Sequence, residues 1–157
     1  MMRPALPAPA LYIHVPFCRR KCCYCDFASR PPAPAAVEAY LAAFKREAET
    51  ALASWPNSWE VPSIYIGGGT PTVLAPAELE AVLAVAARFP RTRGAEWTVE
   101  ANPGTVDAAK LRLLKAAGVN RLSLGVQSFD DALLKFIGRS HTAREACAAW
   151  ELARAAG

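Results

Sequence analysis

Four of the five cysteines of this chain lie within eight residues, directly after the apolar segment 11–15. Cys18, Cys22 and Cys25 have the spacing C-x3-C-x2-C. Thiolate sulfur is a soft ligand that suits iron–sulfur clusters and zinc, and close spacing lets one loop surround a single inorganic centre. Three thiolates on a four-iron cluster leave one iron without a protein ligand, and a small molecule can bind and react there. The spacing therefore predicts redox chemistry at an iron–sulfur cluster.

Zinc binding and redox-active thiols stay open as alternatives. A structural zinc site needs four ligands, usually as two pairs from separate segments. Here the only distant cysteine is Cys147, and the two histidines, His14 and His141, form no H-x3-5-H pair. Disulfides would suit an oxidising compartment, but no secretory signal is visible. We expect Cys23 to be a spectator thiol, because Cys22 already fits the spacing, and Cys147 to be a small buried residue of a helix.

The composition predicts an intracellular, cytoplasmic protein without a nucleic-acid partner. The formal charge is +4 over 157 residues, and basic residues are interspersed with acidic ones along helix-like segments. That pattern is typical of a solvated face rather than of a nucleic-acid interface. No apolar run reaches the roughly 18 residues that would predict a membrane span. Residues 1–10 are rich in proline and alanine, so we expect a flexible tail followed by one core domain over residues 11–157.

Strand-like and helix-like segments alternate along the chain. Strands are predicted at residues 11–15, 61–66, 97–100 and 121–126. Helices are predicted at residues 35–54, from about Pro76, from a cap at Thr105 to Gly118, around residues 130–137, and after a capping box at Thr142 and Glu145. Alternation of this kind favours an α/β protein built of parallel βα units. Four strands do not close a barrel, so we expect an amino-terminal part whose carboxyl-terminal part is missing.

Each unusual segment follows a predicted strand. The cysteine loop follows the first strand, Gly67–Gly69 the second, Glu100 the third and Gln127 the fourth. Because chemistry collects at the carboxyl ends of parallel strands, we expect these segments to meet. The glycines would let a polar ligand approach the backbone closely, although a tight turn explains such a run equally well. Glu100 would bind an ammonium group or ribose hydroxyls, or else pair with an arginine at the surface.

With these residues in view, the chain resembles the radical S-adenosylmethionine superfamily, and specifically its oxygen-independent coproporphyrinogen III oxidase group. The matching stretches are Tyr12–Cys18 with Cys22-x-Tyr24-Cys25, Ile64–Thr72, Glu100–Thr105 and Arg121–Phe129. The resemblance covers nearly the whole chain from Leu11, and the order of its motifs is highly specific. It implies a partial barrel, normally of six βα units, of which about four are present here.

The resemblance also implies two cofactors. A [4Fe-4S] cluster would be held by Cys18, Cys22 and Cys25, and S-adenosylmethionine would chelate the fourth iron through its amino and carboxylate groups. One electron from the cluster would then split the sulfonium and release a 5′-deoxyadenosyl radical. By the pattern of the family, the positions that contact the cofactor are Tyr12, Tyr24, Gly68, Gly69, Thr70, Glu100, Gln127 and Arg139.

Two functions divide the members of this group. The oxidases decarboxylate coproporphyrinogen III and typically carry an extra cysteine two positions after the third ligand, and a long segment ahead of the motif. Here Phe27 occupies that position, and only about ten residues precede the first strand. Both departures favour the HemW-type haem chaperones, whose haem site would lie outside this chain. The resemblance then implies haem or porphyrinogen, haem-acceptor proteins and a flavodoxin-like electron donor as partners. Cys23 also departs from the family pattern, which more often has proline there.

Overall fold

The computed structural model describes residues 9–157, and most of the expected tail lies outside this range. Four parallel strands form one sheet in the order β1-β2-β3-β4. The strands are β1 (Leu11–Val15), β2 (Val61–Gly68), β3 (Arg91–Ala101) and β4 (Arg121–Leu124). The helices are α1 (Pro34–Ala53), α2 (Pro76–Ala86), α3 (Ala108–Ala117), α4 (Asp131–Phe136) and α5 (Ala143–Ala155), with a short 3-10 helix at Pro71–Val73. The predicted α/β class with four parallel strands is confirmed.

The two faces of the sheet differ in polarity. Ile13, Ile66 and Val99 are register partners on adjacent strands, and each is nearly or fully buried. They belong to the same apolar core as Leu79 and Leu83 of α2. Burial of one such side chain contributes roughly 1.5–3 kcal/mol to folding, so this face holds the helices on the sheet.

The opposite face carries polar side chains, because residues alternate between the two faces of a strand. The register pairs Tyr12 with Tyr65, Tyr65 with Thr98, and Glu100 with Ser123. These residues lie two apart or directly opposite one another, so they share this face. The core and the polar groups that precede the strand ends are therefore separated by the sheet itself.

Three strand boundaries differ from the sequence prediction. β2 ends at Gly68, two residues later than predicted. β3 begins at Arg91, six residues before the predicted start, where Val61 pairs with Arg91 and the register shifts before Ser63. The residues from Arg91 to Glu96 are polar or small and show no apolar pattern, so only backbone pairing identifies them as a strand. β4 ends at Leu124, two residues earlier than predicted, and the chain turns at Gly125.

Thr105 is not the cap of α3, and that prediction is wrong. Asp107 caps the helix, since its side chain accepts a hydrogen bond from the N–H of Lys110 at 2.8 Å. The Thr105 hydroxyl is buried instead and lies 2.6 Å from the hydroxyl of Thr72. The end of α3 at Gly118, with φ of 99°, and the capping box of Thr142 and Glu145 at α5 are both confirmed.

β1 and β4 are the outer strands of the sheet, and each pairs with a neighbour on one side only. Unpaired backbone donors and acceptors at a strand edge recruit other strands. We therefore predict that the isolated 157-residue chain self-associates, with an apparent mass at least twice that of a monomer in light scattering after size-exclusion chromatography. A stable, monodisperse monomer would contradict this.

None of the helices within residues 9–157 is long and apolar enough to cross a membrane.

Candidate functional site

The cysteine loop joins β1 to α1 and is closed at its base by backbone pairing. Phe17 and Arg30 form an isolated parallel bridge, and the N–H of Cys18 donates to the carbonyl of Arg30 at 3.0 Å. Phe17 is fully buried and anchors the loop in the core. A tight turn within the loop brings the N–H of Cys25 to 3.1 Å from the carbonyl of Cys22. The three spaced cysteines are therefore held above the carboxyl ends of the strands.

A cleft of about 220 Å³ opens at these strand ends. It is lined by nearly all of the residues that the sequence singled out. They are Cys18, Cys22, Tyr24, Cys25, Gly68, Gly69, Thr70, Glu100, Gln127 and Arg139. Phe27, Asn102 and Gly125 line it as well. The expected meeting of the four strand ends is confirmed, because side chains from all of them border one space.

Tyr12 is the predicted contact residue that does not line this cleft. It lies on β1, is 56% exposed, and its hydroxyl is 3.0 Å from Nδ1 of His14. Its ring stacks on that of Tyr65 at a centroid distance of 6.1 Å. Burial, and then the charge of Glu100, raise the pKa of Tyr12. Tyr12 thus borders a second, more apolar groove between β1 and α1.

The glycine run lets two backbone segments approach closely. A Cβ on Gly69 would lie 2.4 Å from the carbonyl oxygen of Phe17, and one on Gly68 would lie 2.5 Å from the ring of His14. The N–H of Gly69 donates to the carbonyl of Val15 at 2.8 Å, and the N–H of Thr70 donates to that of Phe17 at 2.6 Å. These donors are satisfied within the protein and are not free for a ligand. The run therefore fixes the cysteine loop against β2.

Glu100 is held by two donors from β2. The hydroxyl of Tyr65 donates to its Oε1 at 2.6 Å, and the N–H of Gly68 donates to its Oε2 at 3.1 Å. The hydrogen bond to Glu100, followed by burial, raises the pKa of Tyr65. The ion pairs found within residues 9–157 are Arg88 with Glu49 and Arg121 with Glu96, so the surface-pair alternative for Glu100 is wrong.

Sequence reasoning gave no role to Tyr65, although it contacts the Glu100 carboxylate directly. The available signal was the polar hydroxyl between two isoleucines on β2, which places it on the face opposite the core. Gly67 leaves room for this contact, since a Cβ there would lie 2.7 Å from both the Tyr65 ring and Oε2 of Glu100.

A chain of hydrogen bonds crosses the floor of the cleft. The sulfur of Cys18 lies 2.9 Å from the hydroxyl oxygen of Thr70, to which Nδ2 of Asn102 donates at 2.8 Å. Nη2 of Arg139 donates to Oδ1 of Asn102 and to the carbonyl of Gly125. The second guanidinium nitrogen, Nη1, donates to the sulfur of Cys22 at 3.4 Å. Asn102 is the second residue whose side-chain role sequence reasoning missed.

The donor set suits a cluster better than a single ion. Cys18, Cys22 and Cys25 offer three soft thiolates from one loop, which suits an iron–sulfur cluster, whereas a structural zinc site needs four ligands. Burial raises the pKa of the Cys18 thiol, so a thiolate there needs a positive partner. Nε of Arg139 is buried without a hydrogen-bond partner, and the Arg139 residue lines the cleft.

Comparison with known proteins decides the family. The model of the family described as the Radical SAM superfamily matches residues 12–157. The chain belongs to the radical SAM superfamily. Membership implies a [4Fe-4S] cluster and S-adenosylmethionine as the cofactors. The roles of the individual cleft residues toward them stay predictions.

Curated relatives that carry different names match this radical SAM chain. Heme chaperone HemW of Bacillus subtilis is 42% identical over 93% of this chain and 39% of its own length. HemW of Escherichia coli is 42% identical over 97% of this chain and 40% of its own. The oxygen-independent coproporphyrinogen III oxidase of Paracoccus denitrificans is 39% identical over 88% of this chain and 31% of its own. The chain thus spans at most about 40% of the length of these relatives.

A solved structure supports the partial radical SAM barrel. The coproporphyrinogen III oxidase HemN of Escherichia coli superimposes with a TM-score of 0.85 at 29% identity. The match covers 96% of this chain and 35% of the HemN chain. The four βα units therefore correspond to one part of a larger fold.

Two cysteines lie outside the cleft lining. Cys23 is exposed, as expected of a spectator thiol, and its sulfur is near Gly138. Cys147 is also exposed, so the prediction that it is buried is wrong. Ala146 and Ala149 carry the buried stripe of α5 instead. Successive side chains on a helix are about 100° apart around its axis. An error of one residue in assigning the buried stripe therefore moves Cys147 from the buried face to the exposed one.

Proposed function

We propose that this radical SAM chain is the cofactor-binding part of a haem chaperone. The observation that carries the proposal is Phe27, which lines the cleft beside the three spaced cysteines and is 60% exposed. An oxidase of this group typically carries a fourth cysteine at that position. The two HemW relatives, each 42% identical, support the same assignment.

In this proposal Cys18, Cys22 and Cys25 hold the [4Fe-4S] cluster. The cluster and S-adenosylmethionine, when bound, supply one-electron reductive cleavage of the sulfonium. Two donors from β2 fix the orientation of the Glu100 carboxylate. Its oxygens can still accept further hydrogen bonds. It suits the ammonium group or ribose hydroxyls of the cofactor.

Arg139 has the complementary role in this proposal. Its guanidinium lines the cleft, and its Nε is buried without a partner. A carboxylate of the cofactor would accept from this planar fork. Gln127 also lines the cleft, with its backbone in the left-handed region at φ of 70°, which is uncommon for a residue with a side chain. This conformation suits a residue placed for binding.

We extend the proposal to the partners of the full-length protein. Haem is its cargo, bound outside residues 9–157, and haem-acceptor proteins receive it in the cytoplasm. A flavodoxin-like protein supplies the electron.

A second candidate function is that of an oxygen-independent coproporphyrinogen III oxidase, which the Paracoccus denitrificans relative at 39% identity and the HemN fold favour.

The two functions are separated by one experiment on full-length protein with a reconstituted cluster. We expect uptake of about one haem per chain, seen by absorbance titration, and no conversion of coproporphyrinogen III under anaerobic conditions with reductant and S-adenosylmethionine. Omission of S-adenosylmethionine is the control, since an oxidase needs it for turnover and haem uptake does not. Conversion at an enzymatic rate that depends on this cofactor would refute the chaperone proposal.

A further inference from the structure

The hydrogen-bond chain on the floor of the cleft has a definite direction. A guanidinium only donates hydrogen bonds, so the Asn102 atom that contacts Arg139 must be the carbonyl oxygen, Oδ1. The amide nitrogen Nδ2 of Asn102 therefore faces Thr70 and donates to its hydroxyl oxygen at 2.8 Å. The contact with arginine thus removes the usual ambiguity between the oxygen and nitrogen of an asparagine amide.

The direction of this donation determines where the Thr70 proton points. A hydroxyl has one proton to donate, and Asn102 occupies an acceptor position of the Thr70 oxygen. The remaining polar neighbour of that oxygen is the sulfur of Cys18 at 2.9 Å. A sulfur that ligates a metal carries no proton and can only accept, so Thr70 donates to a ligating Cys18. The sequence of donors then runs from Arg139 through Asn102 and Thr70 to the thiolate.

The surrounding structure holds these groups in place. Thr70 is only 2% exposed, and its N–H is fixed on the carbonyl of Phe17 at 2.6 Å. The backbone of Asn102 is fixed by Thr105, whose hydroxyl donates to the Asn102 carbonyl at 2.7 Å. A Cβ on Gly125 would lie 2.6 Å from Oδ1 of Asn102, so only glycine leaves room for this amide. Buried and restrained hydrogen bonds of this kind are stronger than exposed ones.

We propose that Asn102 and Thr70 are positioning residues that direct a hydrogen bond onto the Cys18 sulfur and thereby raise the reduction potential of the cluster. The inference rests on the proposed binding of a cluster by Cys18. Donation to a ligating sulfur withdraws negative charge from it and favours the reduced cluster, which carries one more electron. Reduction takes one electron from an external reductant such as dithionite and breaks no bond. Asn102 acts through Thr70 rather than by contact with the cluster.

The test is a potentiometric titration of reconstituted full-length protein, monitored by electron paramagnetic resonance without S-adenosylmethionine. Thr70→Val keeps the side-chain shape and removes the hydroxyl, so we expect a more negative midpoint potential. Thr70→Ser is the matched control and should keep the wild-type potential. An unchanged potential in Thr70→Val with a fully assembled cluster would overturn the proposal.

Asn102→Asp tests the direction of the chain. Aspartate accepts from both neighbours, so the Thr70 hydroxyl would turn from Cys18 to the new carboxylate, and the potential should fall. The added charge lowers the potential as well, so the same substitution is measured in the Thr70→Val background, where only the charge acts. If Asn102→Asp lowers the midpoint potential more when Thr70 is present than in the Thr70→Val background, the proposal is supported. Equal decreases in both backgrounds refute it.

A second measurement uses Thr70→Ala in place of Thr70→Val. The reduced cluster of wild-type protein should show a hyperfine-coupled proton that is replaced by a deuteron on exchange into deuterium oxide and that Thr70→Ala lacks. Persistence of that coupling in Thr70→Ala would overturn the proposal, as would failure of wild-type protein to assemble any cluster. If the variants shift the midpoint potential as expected but wild-type protein takes up no haem, the chaperone function is refuted and the present proposal is not.

Discussion

Cys22→Ala is expected to abolish the resonance signal of a reduced [4Fe-4S] cluster, together with its change on addition of S-adenosylmethionine. The sulfur of Cys22 lies in the lining of the cleft and accepts a hydrogen bond from Arg139 at 3.4 Å. A cluster held by three thiolates loses a third of its protein ligands in this variant. We expect less than about a tenth of the wild-type signal per chain, since loss of one cysteine removes a strong iron ligand.

Cys23→Ala is the matched control, because the two cysteines are adjacent in one loop. Cys23 is exposed and does not border the cleft, so this variant should keep both the signal and its response to the cofactor. The measurement is electron paramagnetic resonance on anaerobically reconstituted, reduced full-length protein. Equal loss in both variants, or retention of the signal in Cys22→Ala, would contradict the ligand assignment. A wild-type signal that ignores S-adenosylmethionine would instead indicate an electron-transfer iron–sulfur domain with every iron ligated.

Gly69→Ala is expected to lower the free energy of unfolding by about 3 kcal/mol, the upper part of the usual range for overpacking. The added Cβ would lie 2.4 Å from the backbone oxygen of Phe17. That oxygen already accepts the N–H of Thr70 at 2.6 Å, so it cannot move without loss of the contact. A loss of this size is a large fraction of the stability of a domain. The strain falls between β2 and the cysteine loop, so cluster assembly should decline as well.

Gly104→Ala separates this contact from the general effect of replacing a glycine. Gly104 has φ of 74°, and a Cβ there would meet nothing within 4 Å. We expect a loss of about 1 kcal/mol from the left-handed backbone alone. Urea denaturation of the apo forms of both variants and of wild type measures the difference. If Gly69→Ala destabilises the protein no more than Gly104→Ala does, the close approach to Phe17 is not maintained in solution.

Most of the fold was predictable because the apolar pattern and the helix ends are local signals. The observed bounds of α1 and the start of α2 lie within one residue of the prediction. Both helices begin with a proline and carry an apolar stripe, and both signals are visible in the sequence. β3 was predicted too short because Arg91–Glu96 lacks an apolar pattern. Thr105 was predicted to be a cap, but Asp107 satisfies the helix donors and leaves the threonine hydroxyl to the buried turn.

The amino-acid sequence by itself determined the class of the fold and most of the residues at the cleft, Tyr12 and Asn102 being the exceptions. Residue type and spacing suffice for this, because parallel strands place their carboxyl ends at one edge. Only the tertiary structure decided which of those residues touch. Tyr65 with Glu100, and Thr70 with Asn102, are 35 and 32 residues apart in the chain. Their contacts depend on strand register and on the close approach that the glycines permit, and both are properties of packing rather than of local sequence.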